Sequence, residues 1–436
     1  MQTKQNNISL VWFKNNLRVQ DNMVLNTAIK NSNHVIAIFV FDLRNFELTK
    51  FGFKKTEKFR VRFLIETVNN LKQNLKKLNI ELFVYKGYSE NHVSDLIKSH
   101  NIESIYFEKE FTQEELKIIE KVKKTVHKSV IFNEEFDQFL FHPEDVASET
   151  QTIPEVFTNF RKKIETSCKV RPTVQNKGTE TILNIKNTTT IPTLEELGFT
   201  TFKTHKNSTF PFEGGESSAL ERLDDYFFKT QKISVYKKTR NGLIGTDYSS
   251  KLSPWLANGS ISARTIYWKL KDFEEKYHKN ESTYWLFFEL IWRDFFKYIA
   301  LKHGNDIFKI GGILNKSYHW NSDQTLVSNW INGKTASPFV NANMIELKKT
   351  GWVSNRGRQN VASFFSKNLQ LDWRIGAAYF ESMLIDYDVH SNYGNWMYVS
   401  GVGNDPRDRV FNVSLQADRY DANGTYQNLW LQETLF

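Results

Sequence analysis

HVIAIFVF, residues 34–41, runs apolar without a polar break after its first histidine. A strand with no alternation is buried on both faces, and such strands belong to parallel sheets covered by helices. The flanking sequence repeats the theme. Ile8–Phe13 reads as a strand and Asn22–Lys30 as a helix with Asp21 as its N-cap. Phe59–Leu78 reads as a long helix, because Phe63, Leu64, Val68, Leu71, Leu75 and Leu78 recur at three- and four-residue steps. Strand Glu81–Tyr85, helix His92–Ser99, strand Ser104–Phe107, helix Gln113–Lys124 and strand Val130–Phe132 continue the order. Five strands separated by helices predict a doubly wound parallel sheet over residues 1–135. Such sheets take ligands at the carboxyl ends of their strands. Neither G-x-G-x-x-G nor G-x-x-x-x-G-K-[ST] occurs, so no phosphate loop of either kind is expected.

Residues 136–215 lack long periodic segments and read as an interdomain connector with one or two short helices. From residue 216 to 436 the pattern turns helical. The segments are Ser217–Lys229, Ser262–Lys276, Ser282–His303, Gln324–Asn332, Val340–Thr350, Arg358–Asn368 and Trp373–Met383. Ten of the 11 tryptophans lie in this half. Its composition thus differs from that of the α/β half.

The 436 residues allow two to three domains and carry a net charge of +9. That excess permits a polyanionic partner, and a solvated surface accounts for it equally well. No apolar run is long enough to span a membrane. Met1–Asn7 is polar and lacks the apolar core of a secretory signal. Cys168 is the single cysteine, which excludes an internal disulfide framework and fits a reducing, cytoplasmic compartment. No heptad pattern appears, so a monomer is expected.

Five motifs carry chemistry. TDYSSKLSPWL (246–256) sets Ser249, Ser250 and Ser253 before a helical run, where free N–H groups and hydroxyls suit a pyrophosphate; helix capping explains serines there too. ELIWRDFF (289–296) puts Glu289, Trp292, Arg293 and Phe296 on one helical face, as a site or as a core stripe with an ion pair. GWVSNRGRQN (351–360) offers Asn355, Arg356, Arg358 and Gln359, with arginines suited to phosphate or to a buried carboxylate. LIDYDVHSNYGNW (384–396) reads as a polar, turn-forming stretch holding Asp386, Asp388 and Asn392. His390 stands alone, without a ligand cluster around it, so no metal is expected. GVGNDPRDRVFN (401–412) reads as a rigid loop beside Arg407 and Arg409.

In this order the motifs resemble those of the photolyase/cryptochrome flavoproteins, from VWFKNNLRVQDN (11–22) to DRYDANGTYQNLW (418–430). GFKKTEKFRVRFLIE (52–66), VFTNFRKKIE (156–165) and GVGNDPRDRVFN resemble the cryptochrome DASH branch in particular. The resemblance implies an α/β domain, a connector, and a larger all-α domain that buries FAD. It places Tyr236, Ser249, Ser250, Lys251, Leu252 and Ser253 at the phosphate end. Glu289, Trp292, Arg293, Asn355, Arg358, Asp386, Asp388 and Asn392 would lie at or near the rings, with Arg358 paired to Asp386 and Asn392 facing the reactive edge to stabilise reduced flavin. Trp320, Trp373 and Trp396 match an electron-transfer chain, with Tyr398 as a further redox-capable ring.

The activity implied is blue-light repair of cyclobutane pyrimidine dimers by electron transfer from excited, reduced FAD. Glu289 would hydrogen-bond the flipped lesion, Trp292 and Tyr393 would pack on it, and Arg293, Asn355, Arg356 and Arg407 would meet phosphate or rim the cavity. Gln359 stands where many duplex-acting relatives carry methionine, which points to lesions in single-stranded or looped DNA. Glu110, in FEKEFTQEE, matches the contact to a methenyltetrahydrofolate antenna. Two other readings stay open: a photoreceptor or DNA-binding regulator without repair, which would normally bring a long C-terminal extension, and a duplex DNA photolyase. Phe436 follows the last helical segment closely, which favours neither extension nor receptor.

Overall fold

The computed structural model describes residues 7–147, 150–179, 183 and 185–432. Met1–Asn6 and Phe436, on which the readings of the two termini rest, lie outside them.

The chain opens with β1 (Ile8–Phe13), α1 (Met23–Asn31), β2 (His34–Asp42), α2 (Lys58–Lys76), β3 (Glu81–Gly87), α3 (Ser89–Ser99), β4 (Ser104–Glu108), α4 (Gln113–Thr125) and β5 (Ile131–Glu135). The five strands form one parallel sheet in the order β3-β2-β1-β4-β5. β2 is buried along nearly its whole length, as its apolar run demands. Val35, Ala37, Phe39 and Phe41 face one layer of the core, and Ile36, Ile38 and Val40 face the other. The period of two divides one apolar strand between two helix layers.

Asn22, not Asp21, caps α1: its Oδ1 accepts from Leu25 N at 3.0 Å. Asp21 adopts a left-handed backbone and gives its carboxylate to Arg264 at 3.0 Å. The second half thus draws the residue away from the local cap the sequence pattern offers.

The connector holds α5 (Pro143–Val146) and α6 (Phe157–Ser167). Beyond α6, Leu194, Leu197 and Phe199 cover one face of the sheet. Helices α7 (Glu216–Asp224), α8 (Tyr236–Thr239), α9 (Ser253–Ala257), α10 (Ala263–Lys276), α11 (Glu281–His303), α12 (Gln324–Ile331), α13 (Pro338–Thr350), α14 (Asn355–Ser363), α15 (Trp373–Met383), α16 (Val389–Ser400), α17 (Val413–Tyr420) and α18 (Thr425–Leu431) build the second half. Among the described residues it contains no strand. α7 and α14 each run on into a π-helical turn, at 225–229 and 364–368.

Residues 384–396 are not the turn-forming stretch expected. From Val389 they are helical, with Asp388 as N-cap accepting from Ser391 N at 2.8 Å. α16 is buried on most sides, so it carries no amphipathic stripe, and its asparagines and glycine are poor helix formers. Tertiary packing makes this helix.

A buried ion network ties the halves together. Arg18 pairs with Asp137 at 2.6 Å, and Arg264 reaches Asp137 at 2.6 Å. Asp294 of α11 accepts from the backbone N–H groups of Leu140 and Phe141. Gly259 allows the closest approach: a Cβ there would lie 1.9 Å from the Asn15 carbonyl oxygen.

Candidate functional site

The loop before α9 is held from behind by Arg222 of α7. Its Nε donates to Ser250 O at 3.1 Å, and Nη2 reaches Thr246 O and Ser249 O at 3.3 Å. Sequence reading missed Arg222, which looks like any cation on an amphipathic helix. The loop presents Ser249, Ser250, Lys251, Leu252 and Ser253. Lys251 is 2% exposed, and its Nζ has no hydrogen-bond partner. Burial drives its ammonium well below its ordinary value, against the pull of the Glu346 carboxylate. A buried amine with no hydrogen-bond acceptor, resting only on the rings of Tyr248 and Trp352, fits an anionic group such as a pyrophosphate, which would restore its charge. Tyr236 of α8 is buried in the same helical core.

Ser253 links this loop to the fourth motif, its Oγ donating to Asp386 Oδ2 at 2.7 Å. Arg358 of α14 stands on the other oxygen, Nη2 to Oδ1 at 3.0 Å. Residues from three motifs thus meet at one carboxylate. Asp388, two residues on, points elsewhere: it pairs with Lys297 of α11 at 3.0 Å. Burial raises its carboxyl, but the Lys297 charge and the His390 ring outweigh that and hold it well below the usual range. Lys297 also donates to Gln138 Oε1 at 2.6 Å and lies 3.1 Å from His390 Nδ1. Asp388 therefore acts as cap and anchor of α16. That helix carries Asn392, buried and donating to Ala377 O at 3.0 Å, and Trp396.

Glu289 of α11 is hydrogen-bonded to Arg240, whose neighbour Asn241 accepts from Arg356 Nη2 at 3.1 Å. Arg356 Nη1 in turn donates to Gln359 Oε1 at 2.9 Å. A continuous polar band, Glu289–Arg240–Asn241–Arg356–Gln359, results. Burial lifts the Glu289 carboxyl above its ordinary value, with Arg240 pulling it back. Arg240 was invisible in sequence because it lies outside every motif.

Trp292, one turn past Glu289, stacks on Phe157 with centroids 3.6 Å apart and meets Tyr398 edge-on at 5.8 Å. Two expected neighbours are not there. Tyr393 packs against Phe308 and Trp373 at 4.7 and 6.1 Å, facing the opposite side of α16, so the ring beside Trp292 is Tyr398. The Arg293 guanidinium is turned to backbone, donating to Gln138 O at 2.7 Å and Leu256 O at 3.2 Å as an internal tie. Asn355 and Arg407 are exposed.

The three tryptophans form a graded series, Trp396 and Trp373 buried and Trp320 half-buried. Trp396 lies on Gly376 of α15, where a Cβ would sit 2.2 Å from its ring. Trp373 opens the same helix one turn earlier and donates to Ile310 O at 2.9 Å. Trp320 precedes Asn321, whose backbone pairs with Gln370 and Asp372 beside Trp373.

Glu110 stands at the β1/β4 switch point of the sheet. It accepts from Lys14 Nζ at 2.6 Å and Asn15 Nδ2 at 3.4 Å, which fills that crevice with an ion pair. Beside it, burial and Glu110 push the Glu115 carboxyl up to about 7. Arg60, over the ring of Tyr387 at 4.7 Å, keeps a buried Nη1 without a partner. No helix among the described residues is long and apolar enough to cross a membrane.

Residues 9–178 match the model of DNA photolyase, and residues 285–435 that of the FAD binding domain of DNA photolyase. A cryptochrome DASH from Synechocystis sp. is 45% identical over 430 residues, covering 97% of this chain and 87% of that protein. The Danio rerio cryptochrome DASH is 44% identical, covering 96% and 82%. The crystal structure of a Synechocystis sp. cryptochrome superposes with a TM-score of 0.94 at 44% identity, over 99% of this chain and 90% of that one. A class III photolyase from Agrobacterium tumefaciens shares the fold, with a TM-score of 0.84 at 24% identity over 99% and 88%. A parallel five-stranded domain, a helical FAD-binding domain and these likenesses over nearly the whole length agree: the chain belongs to the photolyase/cryptochrome family, on its cryptochrome DASH branch.

Proposed function

We propose that this protein repairs cyclobutane pyrimidine dimers under blue light, preferentially in single-stranded or looped DNA. The observation that carries the reading is the polar band from Glu289 to Gln359 set beside the aromatic pair Trp292 and Tyr398. A dimer offers both matching surfaces: imide and carbonyl edges for hydrogen bonds, and an apolar cyclobutane face for an aromatic ring. Bound FAD, reduced and light-excited, supplies the electron that splits the cyclobutane ring. The chain's own groups do the rest. Lys251, Ser249, Ser250 and Ser253 hold the phosphates, and Tyr236 and Leu252 close the apolar wall. Arg358 and Asp386 fix the ring end, and Asn392 offers it a side-chain amide. Trp396, Trp373 and Trp320 carry electrons inward from the surface.

Photolyases act on a base flipped out of the stack, at a cost of a few kcal/mol in a duplex and much less in a single strand. Arg356 Nη1 donates to Gln359 Oε1 and the buried Arg356 Nε keeps no partner, so this wall offers polar contacts and little apolar grip to repay extrusion from a duplex. Arg407 and Arg409 lie exposed on the loop beyond α16, and with Arg356 and Asn355 they are placed to meet the backbone phosphates. Glu115 beside Glu110 and the unpartnered Arg60 Nη1 by Tyr387 offer an acceptor and a donor of the kind a folate's amide and carboxylate ends require, so a methenyltetrahydrofolate antenna belongs to this reading. So do a monomeric state and a cytoplasmic setting, the latter resting on Cys168 as the single cysteine, although plant relatives carry chloroplastic/mitochondrial names. The test is dimer counting in a single-stranded oligonucleotide with FAD-loaded protein. Loss of dimers in blue light and not in the dark supports the reading; photoreducible FAD with no dimer loss replaces it with a photoreceptor.

A further inference from the structure

Next to Trp320, on the solvent side, lies a phenol with a base on its hydroxyl. The Tyr318 and Trp320 rings are 5.5 Å apart at 62°. Tyr318 Oη donates to Asp408 Oδ2 at 3.0 Å. Asp408 is held in turn by the Lys367 ammonium, and Lys316 donates to Gly401 O at 3.1 Å on the same loop. Gly401 makes room for this cluster, since a Cβ there would strike Asp408 Oδ1 at 2.0 Å. Trp320 Nε1, by contrast, is buried with no hydrogen-bond acceptor.

That difference decides where an oxidising equivalent comes to rest. An indole that has lost an electron sheds its N–H proton only to a base, and Trp320 has none, so it stays a radical cation and a strong oxidant. A phenol loses its electron and proton together, and does so readily when a base already accepts its hydrogen bond. We propose that Tyr318 is the terminal electron donor of this protein, with Asp408 as its proton acceptor. One electron passes from the Tyr318 phenol to the Trp320 indole radical cation, which returns to neutral tryptophan. The Oη–H bond breaks, its proton forms a new O–H bond on Asp408 Oδ2, and a neutral tyrosyl radical remains. Charge is conserved: the cation on Trp320 and the anion on Asp408 both disappear.

The surrounding charges keep the acceptor ready. Burial raises the Asp408 carboxyl, but hydrogen bonds from Lys367 and Tyr318 and the Lys316 charge outweigh it, and the group is held below the usual carboxylate range. Burial and the facing Asp408 hold the Tyr318 phenol above its ordinary value, so it stays protonated until it is oxidised. The other two candidate phenols lack this arrangement. Tyr393 touches Trp373 but has no hydrogen bond among the described residues, and Tyr398, although Asp405 faces its hydroxyl beside Arg409, sets its ring on Trp292 rather than on a tryptophan of the series. The step rests on the tryptophan chain of the proposed function.

Laser flash photolysis of the FAD-loaded protein, read by transient absorption and electron paramagnetic resonance, tests it. Wild type shows an indolyl radical giving way to a tyrosyl radical. In Tyr318→Phe the tyrosyl signal is lost and the indolyl radical persists. In Asp408→Asn, which keeps an oxygen near the hydroxyl but no base, tyrosyl formation slows by about a hundredfold, the low end of what a positioned proton acceptor supplies. A tyrosyl radical of undiminished yield in Tyr318→Phe, or an unchanged indolyl lifetime, overturns the assignment while leaving the chain intact. Absence of any indolyl radical in wild type sinks the chain and this step together.

Discussion

His390 gives the anchor of α16 a measurable pH dependence. Its ring is enclosed by Phe111, with centroids 4.6 Å apart, and lies between Lys297 and Asp388. Burial drives its ionisation down from 6.5 to about 4, the Lys297 charge adding to the effect and Asp388 opposing it. The unfolded chain binds a proton near pH 6.5, and the folded chain does not until about pH 4. Between those values the unfolded state holds more protons, so stability is fully present above the upper value and falls as the solution is acidified. At 1.36 kcal/mol per unit, acidification to about pH 5 costs about 2 kcal/mol through this one ring. His390→Leu fills a similar volume and cannot titrate. Urea unfolding near pH 7 and near pH 5 should show wild type losing about 2 kcal/mol more than the variant. An equal loss in both proteins would refute the claim that the ring is buried in its neutral form beside a charged Lys297. The consequence reaches the site, because the same Lys297–Asp388 contact seats the helix that carries Asn392 and Trp396.

Other outcomes follow from single contacts. Asp386→Asn leaves Arg358 without its carboxylate; breaking such a buried pair costs about 3 kcal/mol, the low end because Arg358 still reaches solvent, and the purified variant should retain little FAD by absorbance. Gly376→Ala drives a methyl into the Trp396 ring; overpacking of this kind costs about 1–3 kcal/mol, and photoreduction should slow as it does in Trp396→Phe while FAD stays bound. Gln359→Met removes the nearer partner of Arg356 Nη1, leaving Gln416, and adds apolar surface, and it should raise repair of dimers in duplex DNA relative to single strands.

The sheet was legible because its strands are extreme. The apolar run at 34–41, short and rich in Val, Ile and Phe, reads as a doubly buried strand, and the helices around it are amphipathic enough to show their period. α16 was not legible, since a helix buried on most sides has no stripe to read and its cap, Asp388, looks like one more turn residue. The site divides in the same way. Arg358, Asp386 and Lys251 sit in motifs with unusual composition, whereas Arg222 and Arg240 act on the site from segments that carry no signal of their own. Arg293 and Tyr393 were placed by their proximity to functional neighbours. Only the helix rotation shows that one turns toward backbone carbonyls and the other toward Trp373.

The central claim is repair that depends on how firmly the lesion is paired. FAD-loaded, reduced protein is exposed to blue light with one thymine dimer in three settings: a single strand, a looped bubble and a full duplex. The account predicts rapid loss of dimers in the single strand, an intermediate rate in the bubble and little repair in the duplex. Equal rates in all three would contradict it.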